Sequence, residues 1–226
     1  MTPAAAESLR RAAAHVLVDD VAAPVLDDDS SHHVFRVLRV GDGEVVTVTD
    51  GAGRWRVCRA SGQTIVPEAE PAFEPFAANP LTIAFAVPKL DRPEWIVQKL
   101  TELGVAHIVV LHAERSVVRW DAGRAAKHVA KLHRVAREAI RQSRQVWLPT
   151  IEGPTPALDL LPAAVAAEPG GRPLAGTDRV IAIGPEGGWS PTELAVAADR
   201  VSLGSSVLRV ETAALVAAAR ALDHVR

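Results

Sequence analysis

Short alternating segments fill the first seventy residues. Residues 15–19, 44–49 and 54–60 are rich in Val and alternate polar with apolar positions, the period of a half-buried strand. Asp50-Gly51-Ala52-Gly53 separates the last two, and its glycines accept positive φ cheaply, which predicts a hairpin. A small antiparallel barrel is the natural arrangement of these strands. Pro67, Pro71, Pro75 and Pro80 then punctuate a stretch without periodicity, read as an interdomain linker.

After the linker the period changes. Residues 81–87 form an apolar run of strand length, and Asp91 can cap a helix that has Pro93 in its first turn and stops at Gly104. Residues 107–112 repeat the strand pattern. Asp121 opens a long helix to about Gln145, with Val129, Leu132, Ala136, Ala139 and Ile140 on one face. Residues 152–179 are rich in Pro, Ala and Gly and signal only a short strand near 163–167. Residues 180–183 read as a strand, and Ser190-Pro191-Thr192-Glu193 combines a capping box with Pro at the first helical position. Residues 201–203 give a last strand and 211–224 an Ala-rich final helix. Strands alternating with helices predict a mainly parallel sheet covered on both faces. The expectation is an α/β chain in two parts, residues 1–74 and 78–226.

Composition narrows the class. The 226 residues suffice for a sizeable core. No apolar run approaches the ~20 residues that cross a bilayer, and the amino end shows no basic stretch followed by an apolar one. Cys58 is the only cysteine, which excludes an internal disulfide and a thiolate metal cluster. A cytoplasmic protein without membrane association is expected. His32-His33 lacks a second ligand set at fitting spacing, so no metal is expected.

The net charge of −2 is unevenly spread. Residues 1–76 hold seven Lys/Arg against twelve Asp/Glu, whereas residues 115–147 hold nine against two. Arg134, Arg137, Arg141 and Arg144 recur at spacings of three, four and three, extended by Lys127 and Lys131, so a helix gathers them on one stripe. Four arginines with only Glu138 among them repel one another. Phosphate recognition explains such a stripe better than a merely solvated face does.

Two segments carry candidate chemistry. Gly184-Pro185-Glu186-Gly187-Gly188-Trp189 lies between a strand and a capped helix, where open α/β sheets bind ligands. Adjacent glycines let backbone approach a ligand, and the amides of the following helix start are free to donate; a plain tight turn is the bland alternative. No dinucleotide fingerprint or phosphate loop accompanies it. Leu203 to Thr212 repeats the arrangement, with Gly204 in the turn and Arg209 and Glu211 bracketing the helix start.

Taken together, these segments resemble the bacterial 16S ribosomal RNA uridine-N3 methyltransferases, the RsmE family of the SPOUT (α/β-knot) superfamily. The matching residues are Ile183-Gly184-Pro185-Glu186-Gly187-Gly188, Leu203-Gly204 through Leu208-Arg209, and Glu211-Thr212-Ala213-Ala214. Residues 99–105, Glu114-Arg115-Ser116-Val117, Gln142-Ser143, and His33 with Arg36-Val37-Leu38-Arg39 support them in the same order. Ser205-Ser206, Val210, Arg144-Gln145 and Trp147 depart from the family's usual residues.

The resemblance implies a small N-terminal PUA-like β-barrel for RNA and a C-terminal, trefoil-knotted SPOUT domain. It implies S-adenosyl-L-methionine held by Ile183, Gly184, Pro185, Glu186, Gly187, Gly188, Leu203, Gly204, Val207, Leu208, Arg209 and Thr212. A third cofactor loop falls at Glu168-Pro169-Gly170-Gly171. Arg11, Arg36, Arg39 and Arg115 join the stripe Arg134, Arg137, Arg141 and Arg144 as expected RNA contacts. Arg209, Glu211 and Glu186 are the candidates for catalysis. The implied substrate is 16S ribosomal RNA or the assembled small ribosomal subunit, methylated at uridine N3 by a homodimer. A catalytically silent RNA-binding protein, or methylation of another base or of a ribose, are the alternatives.

Overall fold

The computed structural model describes residues 3–89 and 92–223. Two compact units emerge: the chain up to Phe76 together with Arg137–Leu148, and Ala77–Ala136 together with the chain from Pro149 on.

In the first unit, helix α1 (Pro3–Arg11) precedes strand β1 (Ala14–Leu17), every residue of which is buried. A short helix α2 (Asp28–His32), capped by the Asp27 carboxylate, runs into a wider π-turn over His33–Val37. Strands β2 (Val45–Thr49), β3 (Arg54–Ser61), β4 (Thr64–Pro67) and β5 (Ala72–Phe73) complete the sheet. The hairpin at residues 50–53 forms as expected between β2 and β3. The expectation of an all-antiparallel sheet needs correcting, because β1 pairs with β2 in parallel. The supposed linker is also partly sheet, since β4 and β5 both hydrogen-bond to β3. Val16, Val34, Phe35, Val46, Val48, Cys58 and Ile65 form the apolar core.

Residues 145–148 are fastened into this unit by polar contacts. His15 is buried between Thr47 and the Gln145 carbonyl, at 2.8 and 3.0 Å. A carbonyl only accepts, so Nε2 carries the proton and Nδ1 accepts from the Thr47 hydroxyl. Trp147 donates its indole N–H to the Glu74 carbonyl, and Phe73 and Phe76 meet its ring edge-on.

The second unit is a six-stranded sheet in the order β11-β9-β10-β6-β7-β8. Its strands are β6 (Thr82–Ala86), β7 (His107–His112), β8 (Thr150–Pro156), β9 (Val165–Pro173), β10 (Val180–Ile183) and β11 (Asp199–Ser202). Every described pairing in it is parallel. Apolar β-branched and small residues fill it, with Ile83, Phe85, Ile108, Val110, Leu111 and Ile181 wholly buried. Helices α3 (Arg92–Leu103), α4 (Ala122–Ser143, which from Arg137 on belongs to the first unit), α5 (Ala157–Leu160), α6 (Pro191–Val196) and α7 (Val210–Asp223) lie between or after the strands. Asp91, the expected cap of α3, and His224, the expected end of α7, lie outside the described residues. No described helix is long and apolar enough to cross a membrane.

Residues 150–173 hold more structure than their composition signals. β8 has no counterpart in the sequence reading, and β9 runs well past the expected 163–167. Arg172 explains part of this. Its guanidinium grips both oxygens of the buried Asp178 at 2.8 Å and reaches Asp199 at 2.6 Å, tying β9 to β11 and to the 174–178 turn. That pairing holds the Asp178 carboxyl below its usual range.

Candidate cofactor site and basic helix

A cavity of about 230 Å³ opens where β9, β10 and β11 stand side by side. Three segments wall it: Ala167-Glu168-Pro169, the loop from Ile183 to Trp189, and the turn from Ser202 to Leu208 with Val210 and Ala213 of α7. The last two segments leave the carboxyl ends of parallel strands, the position at which open α/β sheets bind ligands.

Trp189 organises the wall. Its buried indole donates to the Ala167 carbonyl at 3.1 Å, joining the β9 segment to the glycine loop. Gly184 lies against that ring, and a Cβ there would come within 2.9 Å of the indole. Gly188 turns back with φ +69°, its amide donating to the Pro185 carbonyl at 2.8 Å. The capping box forms as expected: the Ser190 hydroxyl accepts from the Glu193 amide, and the Glu193 carboxylate accepts from the Ser190 amide.

Ile183, Gly184, Pro185, Glu186, Gly188, Leu203, Gly204, Val207 and Leu208, all expected at the cofactor, are on the wall. Gly187, Arg209 and Thr212 are not. Gly187 faces the opposite way, its carbonyl accepting from Arg115 Nη1 at 3.3 Å. Val210 and Ala213 occupy the cavity-facing stripe of α7, one turn apart, which leaves Thr212 exposed on another side. Arg209 is exposed at the helix start. Glu168 and Pro169 line the cavity, whereas Gly170 and Gly171 do not. Ala167, Trp189, Ser202, Ser206, Val210 and Ala213 also line the wall and were not among the residues expected at the cofactor.

Of the candidate acids, only Glu186 borders the cavity. Glu211 is buried beside Arg92, at 3.4 Å, so its carboxylate is occupied in fastening the starts of α3 and α7. Among the described residues, Glu168 and Glu186 are the charged groups on the wall, and no Lys, Arg or His lines it. Among the described residues no group of three or more His, Cys, Asp or Glu could hold a metal ion.

The arginine stripe survives in part. Arg134 and Arg137 are exposed on α4. Arg141 is half-buried, with Nη2 3.4 Å from the Ser30 hydroxyl and Nε buried without a hydrogen-bond partner. Arg144 lies beyond the helix, which ends at Ser143; it has φ +58° and donates to the Leu9 carbonyl. Its place in the stripe is therefore corrected, because the register breaks one residue before it. Lys131 is paired with Glu94 at 2.7 Å. Arg11 is paired with Glu7, while Arg36, Arg39 and Arg115 are exposed.

A test of the stripe therefore uses its exposed cations. Lys127→Ala with Arg134→Ala, one heptad apart on α4, is expected to lower the salt slope of RNA binding by roughly one to two units. Filter binding across a salt series measures it, and an unchanged slope returns the stripe to a solvated face.

The site meets a family pattern at this point. A model described as the RNA methyltransferase domain matches residues 75–222. The chain belongs to this RNA methyltransferase family. A second model, the RNA methyltransferase PUA domain, matches residues 26–59 of the first unit. The family member from Mycobacterium bovis named ribosomal RNA small subunit methyltransferase E is 33% identical over 236 aligned residues, covering 89% of this chain and 86% of its own. The crystal structure of a probable rRNA-methyltransferase from Porphyromonas gingivalis superposes with a TM-score of 0.74 at 29% identity, covering 93% of this chain and 98% of that one. The Neisseria gonorrhoeae ribosomal RNA small subunit methyltransferase E, solved bound to S-adenosyl methionine, gives 0.75 at 24% identity and covers 92% and 95%; that likeness concerns the fold.

Proposed function

We propose that this RNA methyltransferase transfers a methyl group from S-adenosylmethionine to N3 of a uridine in small-subunit ribosomal RNA. The observation that carries the cofactor assignment is the charge of the cavity. Among the described residues its wall offers two carboxylates, two serines, backbone groups and apolar side chains but no cation. Such a wall suits a ligand bearing a sulfonium and an ammonium, and is poorly suited to a phosphorylated nucleotide cofactor. Resemblance to the family supplies the uridine-N3 target, the homodimer and the trefoil knot of the second unit.

In this reading Gly184, Gly188 and Gly204 bring bare backbone to the cofactor, while Leu203, Val207 and Leu208 enclose its apolar parts. Bound there, the cofactor supplies an electrophilic methyl group on a sulfonium. Arg209, exposed and between the wall residues Leu208 and Val210, is the candidate for holding the charge that appears on the base. Glu186, on the wall and exposed, is placed to take the N3 proton directly or through water. A methyl group already activated on a sulfonium, with the thioether as its leaving group, would need no covalent enzyme–base adduct. Cys58 takes no part: it is buried in the first unit, where desolvation pushes its thiol up to about 11.

The glycine wall is tested at Gly188. A Cβ there meets no atom within 4 Å, so Val adds no clash, yet φ +69° is strongly unfavourable for a β-branched residue. The loop must then turn away from its present course. Calorimetry with S-adenosylmethionine is expected to show affinity reduced at least ~10-fold, about 1.4 kcal/mol. Undiminished affinity in the folded variant would remove this loop from the cofactor site.

A further inference from the structure

Glu193 is buried to 1% exposure, yet no part of the proposed chemistry uses it. Its carboxylate makes two charge-assisted contacts in different directions. One oxygen accepts the Ser190 amide at 2.8 Å, closing the capping box. The other accepts the Glu114 amide at 2.8 Å, across seventy-nine residues of sequence. A cap needs only the first contact, so the second is additional to helix initiation.

Glu114 belongs to the loop 113–119 that follows β7. That loop is internally wound: the Ser116 hydroxyl accepts the Ala113 amide, and Arg119 donates to the carbonyls of Ala113 and Glu114. The next residue, Arg115, donates to the Gly187 carbonyl and lies so close that a Cβ on Gly187 would come within 3.3 Å of it. The loop between β10 and α6 is thus held from behind at two points. Glu193 grips it at Ser190, and Arg115 grips it at Gly187. The first grip is direct, but Glu193 is itself tied to the 113–119 loop at the Glu114 amide and the second grip comes from that loop, while Gly184, Glu186 and Gly188 line the cavity.

We propose that Glu193 is a positioning residue for the cofactor wall, acting through Glu114 and Arg115 to hold the Gly184–Gly188 loop in its binding conformation. The proposal rests on the cofactor assignment above. A carboxylate accepts at both ends, whereas an amide must turn one end as a donor toward a backbone N–H. Glu193→Gln therefore keeps size and burial but breaks one of the two grips. Arg115→Met keeps the stem and removes the other grip from an exposed position, where folding is not at stake.

Calorimetry, steady-state kinetics and hydrogen exchange on the full chain test the idea. S-adenosylmethionine affinity is expected to fall ~10-fold in Glu193→Gln and about threefold in Arg115→Met. Because both act through one loop, the double variant should bind no more than about twofold weaker than Glu193→Gln alone. In Glu193→Gln, KM for the cofactor should rise, with kcat at saturating cofactor within about threefold of the parent, since the reacting groups are untouched. Without ligand, exchange of the amides in 113–119 and 184–190 should quicken ~10-fold in Glu193→Gln while β6 and β7 keep their protection.

Parent-level affinity in either single variant, or fully additive losses, would overturn the proposal. Should Glu193→Gln fail to fold, unchanged affinity in Arg115→Met overturns it alone. Should the parent itself bind no S-adenosylmethionine, the cofactor assignment fails instead; the exchange experiment then still decides whether Glu193 holds the loop.

Discussion

Arg209→Ala is expected to lower methyl-transfer turnover at least ~100-fold, the low end for removing one preorganised charge from a reacting centre. The imide N3–H of uridine is a weak acid, and its nitrogen becomes a competent nucleophile only as the proton leaves. The resulting charge spreads onto O2 and O4, where a fixed cation stabilises it. Arg209 stands between Leu208 and Val210, both on the cavity wall, yet its own side chain is exposed and does not line the cavity. The loss should therefore fall on turnover, with S-adenosylmethionine affinity within about threefold of the parent. Single-turnover methylation of undermodified small subunits, paired with calorimetry, measures both. Turnover within a few-fold of the parent would remove Arg209 from the chemistry. Glu211→Gln makes the instructive contrast. Its carboxylate is engaged with Arg92, away from the cavity, so its loss should appear in stability before it appears in turnover.

The second large effect is an acid weakness built into the first unit. Burial depresses the His15 pKa from 6.5 to about 4, against a smaller opposing contribution from the Gln145 carbonyl. The folded chain therefore holds His15 neutral while the unfolded chain protonates near pH 6.5. The stability that the neutral ring provides is fully present above pH 6.5 and is lost as pH falls toward 4. The loss amounts to about 3 kcal/mol at roughly 1.4 kcal/mol per pKa unit. Denaturant titrations at pH 7, 5.5 and 4.5 measure it. His15→Gln, which cannot titrate, should be less stable at pH 7 but show a shallower slope over this window. Parallel pH profiles for parent and variant would show that His15 does not set the acid limit.

These effects arise at residues of very different legibility. The glycine loops were readable because strand, glycine and capped helix follow one another along the chain, so local rules suffice. Their neighbours on the wall were not. Ala167 reaches the cavity because Trp189 pulls on its carbonyl, and Val210 and Ala213 because of the direction in which α7 leaves its turn. The adjacent glycines 187 and 188 face opposite sides, which no local pattern distinguishes.

The alternation of strands and helices predicted the parallel sheet, since burial on both faces leaves apolar runs in the sequence. β8 escaped because Thr-Ile-Glu-Gly-Pro-Thr-Pro carries almost no apolar signal; its place beside β7 is set by backbone pairing. The second half of β9 depends likewise on Arg172 and its two carboxylate partners. The helix end was misplaced for a different reason. The left-handed residue that follows α4 is Arg144, with neither Gly nor Pro to announce it, so the periodic stripe continued on paper where the helix had stopped.

The central claim is the identity of the methylated atom. Undermodified small subunits, or their naked RNA, are incubated with the protein and labelled S-adenosylmethionine, digested, and analysed by nucleoside mass spectrometry. The account predicts label in 3-methyluridine, dependent on Arg209. Label on a ribose, on cytidine or on uridine C5, or no label at all with RNA nonetheless bound, would contradict it.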